Sequence, residues 1–93
     1  MVTESLHDWS LHSLDLVWET GALRLQLVDI SCRDRTLQAD NLMHLDVPRC
    51  FSWGKSNSIL EHQLQHHNGY VTLRLLMQSG DTLTITAHSI QLH

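Results

Sequence analysis

Leu23, Leu25 and Leu27 stand at every second position, with Arg24 and Gln26 between them. The same period of two returns as Val71, Leu73, Leu75 and Met77 around Thr72 and Arg74, and as Leu83, Ile85 and Ala87 around Thr82, Thr84 and Thr86. Successive side chains of an extended strand point to opposite faces, so each run makes one apolar and one polar face. A helix would need apolar residues at a spacing near 3.6. Residues 10–18 alternate in the same way, with Leu14, Leu16 and Trp18 on one face and Asp15 on the other. Glu19-Thr20-Gly21, Asn68-Gly69 and Gln78-Ser79-Gly80-Asp81 lie between these runs and are turn chemistry, the glycines accepting positive φ. Charged Cys32-Arg33-Asp34-Arg35 marks a further turn.

Three stretches are less regular. In 36–47 the apolar residues run Leu37, Ala39, Leu42, then Met43, Leu45 and Val47, so the phase slips around Asp40-Asn41; a bulge or tight turn splitting two short strands is expected there. Residues 48–57 show no period. Residues 58–66 fit two templates: Ser58 with Glu61 imitates a capping box, and Ile59, Leu60, Gln63 and Leu64 form a helical stripe. The strand alternative puts Leu60, His62, Leu64 and His66 on one face and is favoured by the β character of the neighbouring segments. The expectation is one all-β domain over 1–93, with six to seven antiparallel strands as a small sandwich or a partly closed barrel.

Charge and cysteine content narrow the function classes. Six Lys/Arg against ten Asp/Glu give a formal charge of −4, and the basic residues Arg24, Arg33, Arg35, Arg49, Lys55 and Arg74 are scattered. That is no footprint for a phosphate backbone, so nucleic acid is not an expected partner. A charged fraction of 17% is also too low for a chain kept unfolded by self-repulsion. Met-Val-Thr-Glu-Ser has neither a basic nor an apolar stretch, and no apolar run exceeds three residues, so neither a signal peptide nor a membrane span is expected. Cys32 and Cys50 are expected as free thiols in a cytoplasmic protein.

The eight histidines are the compositional oddity. His62 and His66 would share a face on a helix, as zinc sites use, but on a strand four residues span about 13 Å, too far for one shared ion. They are weak metal candidates, and surface histidines are the blander reading. No G-x-S-x-G elbow marks a nucleophile. Trp53-Gly54-Lys55-Ser56 echoes the end of a phosphate loop but lacks the upstream glycine and the strand-to-helix setting. This loop, with Trp53, Gly54, Lys55, Ser56 and Ser58, is the first choice for a binding surface, since binding residues concentrate on loops of rigid scaffolds. Trp53 itself is expected to cap the core, as are Trp9 and Trp18 at strand edges.

Four pieces together support a resemblance. Trp9-x-x-His12-Ser13-Leu14, Trp18-x-x-Gly21, Trp53-Gly54-x-Ser56-x-Ser58-Ile59 and Met77-Gln78-Ser79-Gly80-Asp81 make the chain similar, over nearly its whole length, to a group of small bacterial all-β proteins of unassigned function. The resemblance implies a bacterial, intracellular, single-domain β protein and no activity. The functional expectation is a non-enzymatic protein-interaction module without cofactor, its partner another protein or a second copy, with an immunity- or antitoxin-like role as one such use. The alternatives are a domain binding a small ligand or metal through histidines, and an enzyme with an unrecognised site.

Eight histidines exceed the acidic excess of four, so full protonation would reverse the formal charge to +4. Electrophoretic mobility should reverse as pH falls towards about 5.5, near the ordinary histidine range. Strongly anionic migration at that pH would show that most of the histidines are buried and neutral.

Overall fold

The computed structural model describes residues 2, 4–50 and 57–93. It contains six strands: β1 (Ser10–Val17), β2 (Ala22–Val28), β3 (Asp34–Asp46), β4 (Ile59–His67), β5 (Tyr70–Met77) and β6 (Thr82–Leu92). All neighbours pair antiparallel in one sheet of order β1-β2-β3-β6-β5-β4. β1–β2–β3 and β4–β5–β6 are thus two meanders, joined through the β3–β6 pair at the centre.

A single sheet has no second layer to cover its apolar face, so the face must curl over itself. The curl brings the two edge strands together at one end. Ser10 bridges Ser58, the Leu11 N–H donates to the Asn57 carbonyl at 2.7 Å, and the Ile59 N–H donates to the Trp9 carbonyl at 2.8 Å. Beyond that contact no ladder joins β1 to β4 among the described residues, and the sheet is not closed into a barrel. The inner face holds Leu23, Leu25 and Leu27 of β2, Leu37 and Ala39 of β3, Ile59 of β4, Leu73, Leu75 and Met77 of β5, and Leu83, Ile85, Ala87 and Ile90 of β6. The segment before β1 adds Val2, Leu6 and Trp9.

The slip in 36–47 is a bulge within one continuous 13-residue strand, not a division into two. Asn41 has φ +54, a left-handed conformation that asparagine tolerates better than most residues. Buried positions on β3 move there from Leu37 and Ala39 to the partly buried Leu42, and on β6 from Ala87 to Ile90. Both strands change phase opposite each other, between the Asp40–Ser89 and Leu42–Ala87 pairs, so the leucines stay on one face. One residue later the register slips between Leu42 and His44, and Met43 is left exposed. Gly21 closes the β1–β2 loop against this bulge. Its carbonyl accepts from the Leu42 N–H at 2.9 Å, and a Cβ there would sit 3.2 Å from the Leu42 nitrogen and 3.3 Å from the Asn41 Cα. With φ +69, only glycine meets both demands without strain.

Other expectations are borne out or corrected in detail. Residues 59–67 are strand, because pairing with β5 supplies backbone partners that a helical stripe could not use. The turn after β2 is Asp29–Arg33, and β3 starts at Asp34. Trp18 is not core: it follows the last residue of β1, in the loop, and is exposed. Trp9 is buried as expected.

Leu25 and Leu73 are both fully buried. Replacing either with alanine should cost about 2–4 kcal/mol, from lost burial and the cavity left behind. Denaturant titration of Leu25→Ala and Leu73→Ala measures this, and wild-type midpoints for both would invert the assigned strand faces.

Candidate functional site

Of the expected binding loop, Trp53, Gly54, Lys55 and Ser56 lie outside the described residues. Their flanks are fixed by the turn that joins β5 to β6. The Asp81 carboxylate accepts from the Cys50 N–H at 3.1 Å on one oxygen and from the Ser79 hydroxyl at 3.0 Å on the other. The Gln78 N–H donates to the Ser58 carbonyl at 2.9 Å, and the Gln78 amide donates to Asp8 Oδ1 at 2.7 Å. Met77-Gln78-Ser79-Gly80-Asp81 therefore gathers the chain before β1 and both flanks of the loop at the end of the sheet where β1 meets β4. Ser79 and Asp81 are buried in this role, which is structural.

The strongest electrostatic cluster lies on the β1 side of that seam, at the start of β3, and it carries no short-range sequence signal. Asp29, whose side chain is only 2% exposed, accepts from the Ser31 N–H at 2.9 Å, the Arg33 N–H at 3.0 Å and Arg33 Nε at 3.1 Å. Arg35 reaches Asp29 at 3.4 Å and Glu4 at 2.6 Å, donates to the His93 carbonyl at 2.8 Å, and lies 4.9 Å from the centre of the Trp9 ring. The Arg33 backbone hydrogen bond is the largest influence holding the Asp29 carboxyl below its ordinary range, and the Arg35 hydrogen bond does the same for Glu4. The Arg35 guanidinium is in turn held more firmly protonated, chiefly by Glu4.

The histidines are dispersed. Seven are exposed and His62 is half-buried, which supports the surface reading. His62 and His66 sit opposite Leu75 and Val71 on β5, four residues apart along one strand, and they share no ion geometry. Among the described residues no group of three His, Cys, Asp or Glu side chains could hold a metal. His67 stacks on Tyr70 with ring centres 4.5 Å apart. Cys32 and Cys50 are free and exposed.

At the far end of β1 the chain exposes what it elsewhere buries. Trp18 is 87% exposed, Val17 53% and Leu16 41%, and across the Gly21–Leu42 hydrogen bond Met43 is 59% exposed. Leu16 and Val17, on opposite faces of the end of β1, and Trp18 and Met43 thus lie around the corner where the β1–β2 hairpin meets the β3 bulge. Period two alone pointed Trp18 inward. The informative signal was its place at the turn, where alternation no longer orients a side chain.

No family model and no curated protein matches the chain. Among solved structures, an uncharacterized protein from Neisseria gonorrhoeae superposes with a TM-score of 0.75 at 18% sequence identity, over 94% of this chain and 91% of that one. At that identity the likeness shows a shared fold: a curled six-stranded antiparallel sheet.

The carboxyls of Asp29 and Glu4 are lowered on folding, so their stabilisation is present above the ordinary unfolded carboxyl range, about 3.9 to 4.3, and is lost as pH falls through the lowered values. Thermal melts should hold this contribution from pH 7 down to about 5 and lose it progressively below about 4. Asp29→Asn should melt lower at neutral pH and show a shallower acid decline. An unchanged acid slope in that variant would remove Asp29 from the account.

Proposed function

We propose that this chain is a non-enzymatic protein-interaction module of the cytoplasm that docks a partner protein through the Leu16, Val17, Trp18 and Met43 corner. The observation that supports it is the exposure of Trp18 at the tip of a hairpin whose backbone is held by the Gly21–Leu42 hydrogen bond. An exposed tryptophan on a fixed backbone is a preorganised anchor, because little conformational freedom remains to be lost on binding. Asp15 and Glu19 beside it give the corner an acidic border, which suits an apolar recess rimmed by Lys or Arg. An immunity- or antitoxin-like role belongs to the same class and would use the same surface.

A photo-reactive residue at position 17, introduced in living cells, tests the proposal. It should yield a discrete adduct that Trp18→Ala abolishes, while the same probe at Gln63 on the outer face of β4 yields none. Trp18→Ala should leave stability within about 0.5 kcal/mol, as expected for an exposed position. Equal labelling from positions 17 and 63, or an adduct indifferent to Trp18→Ala, would defeat the reading. A probe at Lys55 in the same experiment examines the expectation placed on the 51–58 loop.

A further inference from the structure

We infer that the segment carrying Val2, Glu4, Leu6 and His7 forms a detachable strap that two copies of this chain can exchange, giving a dimer in which each strap covers the core of the other copy. The strap carries its own set of attachments, all to parts of the chain distant in sequence. Leu6 is fully buried and Val2 nearly so in the core formed by β2–β6. Glu4 binds Arg35 of β3 at 2.6 Å. His7 Nδ1 lies 2.6 Å from the Leu60 carbonyl of β4, which places the proton on Nδ1, and the Asp8 N–H donates to the Ile59 carbonyl at 2.8 Å. None of these contacts depends on the strap belonging to the chain it covers. A second copy presents the same acceptor, so the exchanged interface is the closed one already described.

The hinge is equally specific. The Trp9 N–H donates to the Leu6 carbonyl at 3.0 Å, closing a four-residue turn over Leu6, His7, Asp8 and Trp9. Asp8 stands in it with φ +64, a left-handed conformation that costs aspartate less than most residues but more than glycine. Opening Asp8 to an extended conformation relieves that strain and carries the strap away from its own sheet. The Trp9 side of the turn stays attached, since Trp9 is buried over Arg35 and its carbonyl holds Ile59. Strain at a short hinge beside a well-anchored segment is the arrangement that invites exchange.

The test uses the full chain with Cys32→Ser and Cys50→Ser, and with His7→Cys and Leu60→Cys as attachment points for a short bifunctional thiol cross-linker. With Asp8 present, freshly diluted protein should cross-link within one chain. Deleting Asp8 removes the turn, so cross-linking should run between chains and give a covalent dimer on a denaturing gel. Cross-linking within one chain after the deletion would overturn the inference. A second comparison does not depend on that variant folding. Asp8→Gly and Asp8→Val both lose the Gln78 hydrogen bond and differ in tolerance of positive φ. After incubation at high concentration the valine variant should hold a dimer fraction roughly tenfold above the glycine variant. Equal fractions would overturn the inference. Trp18→Ala should leave the exchange unchanged, which separates this dimer from docking at the far corner.

Discussion

The whole arrangement depends on how a single sheet covers one leucine-rich face. In a two-sheet sandwich the second layer covers it; here the sheet bends until its edges meet and the segment before β1 fills the end. Curvature of that degree needs places where the ladder is interrupted. The paired phase change at Asn41 and His88, followed by the Met43 slip, supplies one at the junction of the two meanders. β1 and β4 carry further slips, between Leu11 and Ser13 and between Ile59 and Glu61, on either side of the point where they meet. Bulges bend a strand and increase its twist, so their placement accounts for where the sheet turns.

Polar groups are distributed to match. The seam where the edges meet gathers the segment before β1, the β2–β3 turn on the side of β1 and the β5–β6 turn on the side of β4. Asp29, Ser79 and Asp81 are buried there and each has partners, as buried polar groups must. Arg35 links three of these segments at once, through Glu4, Asp29 and the His93 carbonyl, while its planar face lies over Trp9. A lysine could reach one of these acceptors but has neither the fork nor the flat face.

Period-two patterning made β2, β5 and β6 legible in the sequence, because their leucines face a buried interior on one side only. It made β4 ambiguous because the register slips between Ile59 and Glu61: Leu60 falls in the slip and is exposed, while His62 and Leu64 pair with buried Leu75 and Leu73 as Ile59 pairs with Met77. It misplaced Trp18 for a related reason: alternation orients side chains only while the ladder continues, and the ladder stops at Val17. The Asp29–Arg35–Glu4 cluster was not legible at all, since Glu4 and Arg35 are 31 residues apart and meet only when the curl brings the N-terminal segment over β3. Gln78-Ser79-Gly80-Asp81 is legible as a turn, but its further task of holding Cys50 and Ser58 depends on the same closure.

The two ends of β1 therefore have opposite characters. At Ser10 the strand enters a seam closed by backbone hydrogen bonds, an ion cluster and buried Trp9. At Val17 it leaves the sheet beside three consecutive exposed apolar residues and Met43. Isolated exposed apolar residues are ordinary on protein surfaces, as Ile30 is here, whereas Leu16, Val17, Trp18 and Met43 concentrate apolar surface around one corner. The buried core does not depend on them, since none of the four is a member of it. Nor does the hairpin, whose conformation is set by Gly21 and its bonds to Val17 and Leu42. A feature that neither core nor turn requires is the one on which the proposed docking rests.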